Sequence, residues 1–467
     1  MRYFLLAVAA CAICMEAVAQ SSDEAKRTNE SHGIAPFRSE FVSYETREDA
    51  VARDRENVES YLPLGAMQVL TDGTRMIYRT SFAVPGLWLD REIFFRAGGR
   101  VGRFELFVND QYVGAHLDGR TPTEFALSPY VHEGMNTLTA VVSPELPGGE
   151  LEAMLTDDLE QLRSGSYLYS QPRVRIFDYA VQAVPDSTGK DGMLAIDVVV
   201  ANSYNTDETA VIGFDIYDPA GKLKKYDLKE VTVPAQSLDT VRFRMTVYSA
   251  GRWYWSAAKP NLYASMLYVK YGGHLIEYLP FRVGFVSTAF TDDGSIRVNG
   301  KEEEIVAVHY EPKSQAATER TMRELKQRGV NTLYVPYPQP KWFYDQTDKI
   351  GFYVVDQANV NADPKGGDRG VHGTVVNDPR WLGPVVQRTQ NMYYLQRNRP
   401  SVVAWSLGAP SGNGYDLYKS YQWLKGADTI RPVVYPGAEG EWNSDLDLPE
   451  APGAAEAIER YPVVRRR

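Results

Sequence analysis

Four carboxylates in the second half of the chain, Glu311, Asp356, Glu439 and Glu441, fall beside predicted strand ends. Two carboxyl groups facing one another across a substrate can divide the work of catalysis. One then gives a proton, and the other takes a proton or attacks as a nucleophile. An unorthodox acid/base pair among these four would do that work; four solvated carboxylates at loops and helix ends would do none of it. Near the same strand ends the sequence places His309, Tyr310, Tyr334, Tyr337, Trp405 and Trp442. Their ring faces can stack on sugars, or they can fill a core or a protein contact instead. No metal-ligand cluster, phosphate loop or dinucleotide fingerprint is present, so no cofactor is expected.

The elements that must position these residues divide the chain into three parts. From about Arg75 to Ser143 short alternating runs such as MIYRTSFAV (76–84) and NTLTAVVS (136–143) are punctuated by Gly, Pro, Asn and Asp, which predicts antiparallel strands in a jelly roll. From about Ser170 to Val283 runs such as LAIDVVVANSY (194–204) and LYASMLYVKY (262–271) predict an immunoglobulin-like sandwich. After Gly284 strands and helices alternate. EIVAVHY (304–310) precedes a helix over 318–329 that ends on Gly329, and the strands VNTLYV, FYVVDQ, VVAWSLG and RPVVYPG follow with helices between them. Repeated βα units predict a parallel sheet and a (β/α) barrel. The count is short: five strands are convincing, a sixth is suggested near Trp442-Asn443-Ser444-Asp445, and about 180 residues remain where such a barrel takes about 250.

Composition bounds the function. The net charge of -10 gives no basic surface with which to displace counterions from nucleic acid. Arg2 followed by the apolar run Tyr3–Met15 and the small residues Ala17-Val18-Ala19 reads as an export signal. No other stretch is long enough to span a membrane. Both cysteines, Cys11 and Cys14, fall inside that signal, so a chain cleaved after Ala19 has no thiol chemistry. Val8-Ala9-Ala10-Cys11 also reads as a lipobox, which would make Cys11 a lipidated terminus. The resulting division is signal 1–19, tether 20–55, jelly roll 56–169, sandwich 170–285, barrel-like unit 286–449 and tail 450–467. Asn29-Glu30-Ser31 is a glycosylation sequon that only a eukaryotic secretory pathway would use, and Arg465-Arg466-Arg467 reads as a solvated end.

An ordered series of motifs resembles family 2 of the glycoside hydrolases. FVNDQYVGAHLDGRTPTEFALSPYVHEGMNTL (107–138) is similar to the family's sugar-binding domain, and WYWSAAKPNLY (253–263) to its "LWSPExPNLY". FRVGF (281–285), DGSIRVNGKE (293–302), FYVVDQAN (352–359), NDPRW (377–381), NRPSVVAWSLG (398–408) and RPVVYPG (431–437) follow in the family's order. The resemblance implies a jelly-roll sugar-binding domain, an immunoglobulin-like sandwich and a truncated TIM-type barrel. It also implies retaining chemistry between two carboxyls about 5–5.5 Å apart.

The residues that would carry that chemistry have changed. The family's acid/base is the Glu of "SLGNES"; here Ser406-Leu407-Gly408 is followed by Ala409 and Pro410, so Pro410 stands at the acid/base position and Ala409 at the preceding Asn. The nucleophile belongs to a seventh strand that this chain is expected to lack. Tyr334 replaces an Arg, Gln357 replaces the Glu of "DEAN", and Ala307 to Pro312 replace "GVNRHE". Asp118 matches a sugar-domain Asp that reaches into the family's active site. The expectation is an exported, non-catalytic relative that binds carbohydrate or serves as an assembly subunit of an envelope complex. Its ligand would meet His309, Tyr310, Glu311, Tyr334, Gln357, Trp405, Trp442 and Asp118. The alternatives are an active glycosidase with relocated carboxylates and a truncated product without function. A five- or six-stranded barrel is further expected to leave an apolar edge near 431–449, covered by a protein partner or by self-association.

Overall fold

Alternation decides the first domain of the computed structural model, which describes residues 37–53, 59–156, 159–291 and 296–463. The signal, Cys11, Cys14, the Asn29 sequon and the final arginines lie outside those residues. In the strand Arg75–Val84, Tyr78, Thr80, Phe82 and Val84 are buried while their neighbours face solvent. That strand belongs to a five-stranded antiparallel sheet packed on a four-stranded one, with Phe95, Phe104, Leu106, Phe125 and Leu138 between them. The second domain repeats the arrangement with three and four strands around Ile196, Val198, Phe214, Phe243 and Leu267. Its turn at Pro219-Ala220-Gly221 closes through Gly221 N–H donating to Asp218 O at 2.8 Å, with Gly221 at φ +81°.

The third domain is a five-stranded parallel sheet in sequential order: β1 (Ala307–His309), β2 (Thr332–Tyr334), β3 (Tyr353–Gln357), β4 (Val402–Ser406) and β5 (Val433–Val434). Helices α1 (Gln315–Gln327), α2 (Lys341–Ile350), α3 (Leu382–Gln396) and α4 (Tyr415–Ala427) follow the first four strands, and α5 (Ala454–Arg460) comes after the fifth. Ser314 caps α1 by accepting from Ala317 N–H, and Gly329, at φ +83°, carries the chain away from the helix end. One face of the sheet packs on the helices through Val308, Leu333, Val354, Trp405 and Val433. The other face, which would line a barrel, presents Ala307, Tyr334, Val355, Ala404 and Val434.

Four expectations need correction. Residues 37–53 of the expected tether are packed. Arg38 is buried and donates to Glu124, Gln171, Phe177 O and the Tyr169 hydroxyl, Tyr44 pairs with Tyr278 through two 2.8 Å backbone bonds, and Arg47–Ala52 forms a helix capped by Thr46. Charged residues in that stretch had masked the anchoring side chains Phe41 and Tyr44. No sixth strand forms at Trp442–Asp445, because the edge of β5 is satisfied by one residue: Asp445 N–H donates to Val433 O at 2.7 Å while its carboxylate accepts from Val433 N–H at 2.7 Å.

The apolar barrel face is also not open near 431–449. Residues 446–453 return across it, with Leu446, Leu448 and Ala451 packing on Ala307, Tyr334, Val355, Ala404 and Val434. The segment reaches the opposite edge, where His309 N–H donates to Pro452 O at 2.9 Å. Helix α5 then docks on α1, with Arg328 Nε donating to Ile458 O at 2.8 Å. The expected tail is therefore built into the third domain.

Candidate functional site

The carboxyl ends of β1 to β5, where enzymes of barrel fold assemble their sites, gather His309, Glu311, Tyr334, Tyr337, Gln357, Asn359 and the loop Leu407–Ser411. Glu311 is exposed and accepts from the Tyr337 hydroxyl at 2.5 Å, with the Arg100 guanidinium of the jelly roll 3.8 Å away. Burial, reinforced by Glu311, holds the Tyr337 hydroxyl well above the usual phenol range, so it stays a donor. Gln357 is turned aside and donates to Pro336 O at 2.7 Å. His309 and Tyr334 meet edge to face with centroids 5.5 Å apart, and the Tyr334 hydroxyl donates to Pro449 O at 3.3 Å. Pro449 and Pro452 thus lie against the ends of β1 and β2.

Asp118 does cross from the jelly roll to the barrel. Its carboxylate accepts from Asn359 Nδ2 at 2.6 Å, in a network where Arg388 pairs with Glu152 at 2.9 Å and donates to Asn359 O at 2.5 Å. Glu152 also accepts from Gly119 N–H at 2.9 Å. Every member is held by another protein group, which makes this a joint between two domains. Arg388 and Glu152 escaped the sequence reading because they occur in no motif, although the LDGR motif around Asp118 points to the joint.

Several candidates lie elsewhere. Tyr310 is buried and stacks on Phe343 of α2. Trp405 is fully buried against the outer helices, donates to Asp428 at 2.9 Å and carries the Arg431 guanidinium 4.7 Å from its ring. Trp405 sits on an outward-facing position of β4 and Tyr310 directly follows β1, each one residue out of phase with the barrel interior. Asp356 is not a solvated carboxylate either. It is fully buried, accepts from Tyr344 of α2 at 2.8 Å, leaves one oxygen without a protein partner, and is pushed up to about 7 by burial. Glu439 and Glu441 are bridged by Arg369, which ties the loop after β3 to the loop after β5. Trp442 stands outside the strand ends, against Tyr418 and Tyr421 of α4.

Between those loops runs the β4 loop. Gly408 approaches Val360 so closely that a β-carbon would come within 2.5 Å of the Val360 carbonyl oxygen. Ala409 N–H donates to Val360 O at 2.8 Å, Ala362 N–H to Ser411 Oγ at 3.0 Å, and Ser411 N–H to the Tyr435 hydroxyl at 3.1 Å. These bonds hold Pro410 at the surface of a rigid loop whose tip carries no titratable group. No group of three or more His, Cys, Asp or Glu side chains is placed to hold a metal among the described residues.

Three models of one family match the chain in succession. Residues 42–167 match the sugar binding domain of glycosyl hydrolases family 2, 174–285 the central family 2 domain, and 313–453 the family 2 TIM barrel domain. The chain belongs to glycoside hydrolase family 2. Among its family 2 relatives are β-galactosidases of Priestia megaterium, 28% identical over 379 residues, and of Enterobacter cloacae, 29% identical over 402. The alignments take in 77% and 82% of this chain but 36% and 38% of those proteins, so it spans well under half of their length. In fold the chain is similar to a Bacteroides uniformis β-glucuronidase (TM-score 0.69, 17% identity, covering 78% of this chain and 46% of that one). It is also similar to a family 2 member from Bacteroides cellulosilyticus (TM-score 0.65, 20% identity, covering 78% and 50%).

Proposed function

We propose that this family 2 chain is an exported protein that binds carbohydrate without hydrolysing it. The observation that carries the reading is Pro410. It occupies the position that the "SLGNES" resemblance assigns to the acid/base, on a loop braced by the Ala409, Ala362 and Ser411 hydrogen bonds. Proline has no proton to give a leaving oxygen, and general acid catalysis contributes about 10²–10⁴-fold. Two further features support it. Tyr334, at the family's Arg position, donates to the chain's own Pro449, and Gln357, at the Glu of "DEAN", is spent on Pro336 O. The apolar run Tyr3–Met15 behind Arg2, with small residues at 17–19, supports export.

Purified protein is expected to turn over aryl β-galactosides, β-glucuronides and β-mannosides no faster than buffer. Turnover that survives repeated purification and disappears in Glu311→Gln would overturn the reading in favour of relocated carboxylates. Glu311 is the exposed carboxylate that makes this alternative concrete.

A further inference from the structure

Four aromatic side chains form a ribbon on the outer side of α4, clear of the strand ends. Tyr415, Tyr418 and Tyr421 recur every third residue, which keeps them on one side of the helix. Trp442 lies across the last two, inclined 36° to Tyr418 with centroids 5.0 Å apart and edge-on to Tyr421 at 5.5 Å, while the Lys419 ammonium lies 5.2 Å over the Tyr415 ring. Trp442 is nonetheless 52% exposed and Tyr415 51% exposed. With Tyr418 against one face of the indole, the exposure belongs to the opposite face and the ring edge.

The surrounding polar groups are fixed and already paired. Glu441 accepts from the Tyr418 hydroxyl at 2.5 Å and from Arg369. Asp445 accepts from the Tyr421 hydroxyl at 2.5 Å and from Lys425 at 2.9 Å. Both tyrosines that support the indole are thereby locked, so the platform is ordered before any ligand arrives.

We propose that Trp442, propped by Tyr418 and Tyr421 of α4, binds a sugar ring of a neutral oligosaccharide. The reading rests on the proposed carbohydrate-binding role and gives it a site outside the barrel mouth. An aromatic face takes the C–H face of a pyranose, while carboxylate oxygens at its rim accept from ring hydroxyls. Around the ribbon three cations, Arg369, Lys419 and Lys425, stand against three carboxylates, Glu439, Glu441 and Asp445, so these groups carry no net charge with which to draw in a charged peptide or an anionic lipid surface. Preorganisation keeps the ordering cost of binding low.

The test is affinity electrophoresis of the full chain through gels containing soluble β-glucan, xylan or galactan, with Trp442→Ala and Trp442→Phe alongside. Retardation by at least one polysaccharide, weakened tenfold or more in Trp442→Ala and largely retained in Trp442→Phe, is the expected result. The exposed position predicts unchanged melting temperatures for both variants. Retardation equal in wild type and Trp442→Ala would move binding to another surface and overturn this site while leaving a carbohydrate-binding role intact. Retardation in none of the gels would overturn the site and the binding role together, while the absence of turnover would still stand on its own measurement.

Discussion

Position 410 is where the proposed loss of catalysis can be tested at a single side chain. Replacing Pro410 with Glu would return a carboxyl to the loop, but Ala409, Tyr334 and Gln357 would still lack the polar groups the family sets around it. Pro410→Glu is therefore expected to leave hydrolysis of aryl glycosides at background, measured against the wild type in the same preparation. Asp416, in the first turn of α4, is a different kind of residue. It is fully buried with no protein partner for either oxygen, and burial, with Asp378 adding to it, pushes its carboxyl up to about 8. The unfolded chain releases that proton near the ordinary carboxylate value of about 3.9. Between those limits the folded state holds a proton that the unfolded state does not. The contribution of Asp416 is thus complete below about pH 4 and is lost as pH rises toward 8. Asp416→Asn is expected to melt higher than wild type at pH 8, with the gap closing toward pH 5. Parallel melting curves across that range would show that Asp416 is ionised in the fold. The altered positions 409 and 410 were legible in the sequence, because they interrupt a motif. The burial of Asp356 and Asp416 was not, because nothing local tells a carboxylate whether the next layer is solvent or a helix.

At the scale of elements, strand and helix periodicity revealed the three domains, the five parallel strands and the capped helix α1. What it hid were elements without a period. Residues 446–453 contain two prolines and alternate apolar with acidic or small residues too briefly to read as a strand, yet Leu446, Leu448 and Ala451 cover the inner face of the sheet. Phe37–Ala52 was hidden by its charges, although Arg38 ties it to both β-domains. Burial is worth about 25 cal/mol per Å² of apolar surface, so replacing both Leu446 and Leu448 with Ser is expected to cost a few kcal/mol. Hydrogen exchange is the direct check, with the backbone amides of His309 and Val433 losing protection in the double variant. Unchanged protection there would mean that the returning segment is not what closes the sheet.

At the scale of the molecule, Leu446, Leu448 and Ala451 occupy the apolar face that was expected to meet a partner. With both faces of its parallel sheet packed by its own residues, the chain is expected to sediment as a monomer. A concentration-dependent dimer that dissociates in a Trp442→Ala variant would put the contact on the α4 ribbon instead. The proposed export has its own test by mass. A chain cleaved at the expected signal would begin at Gln20, and a fatty-acylated chain beginning at Cys11 would show an anchored protein instead.

The returning segment also has a consequence in time. β1 leaves the ribosome long before the residues that will cover it, since Pro452 and Leu448 are made only after β5 and all four intervening helices. Contacts between such distant parts of a chain are closed late, because the loop between them must be ordered first. Domains are made at about 5–20 residues per second, so Ala307, Tyr334 and Val355 wait many seconds without their cover. Over that interval the third domain is a half-built sheet with an adhesive face, and its yield in a cell depends on what keeps that face from other chains until the last residues arrive.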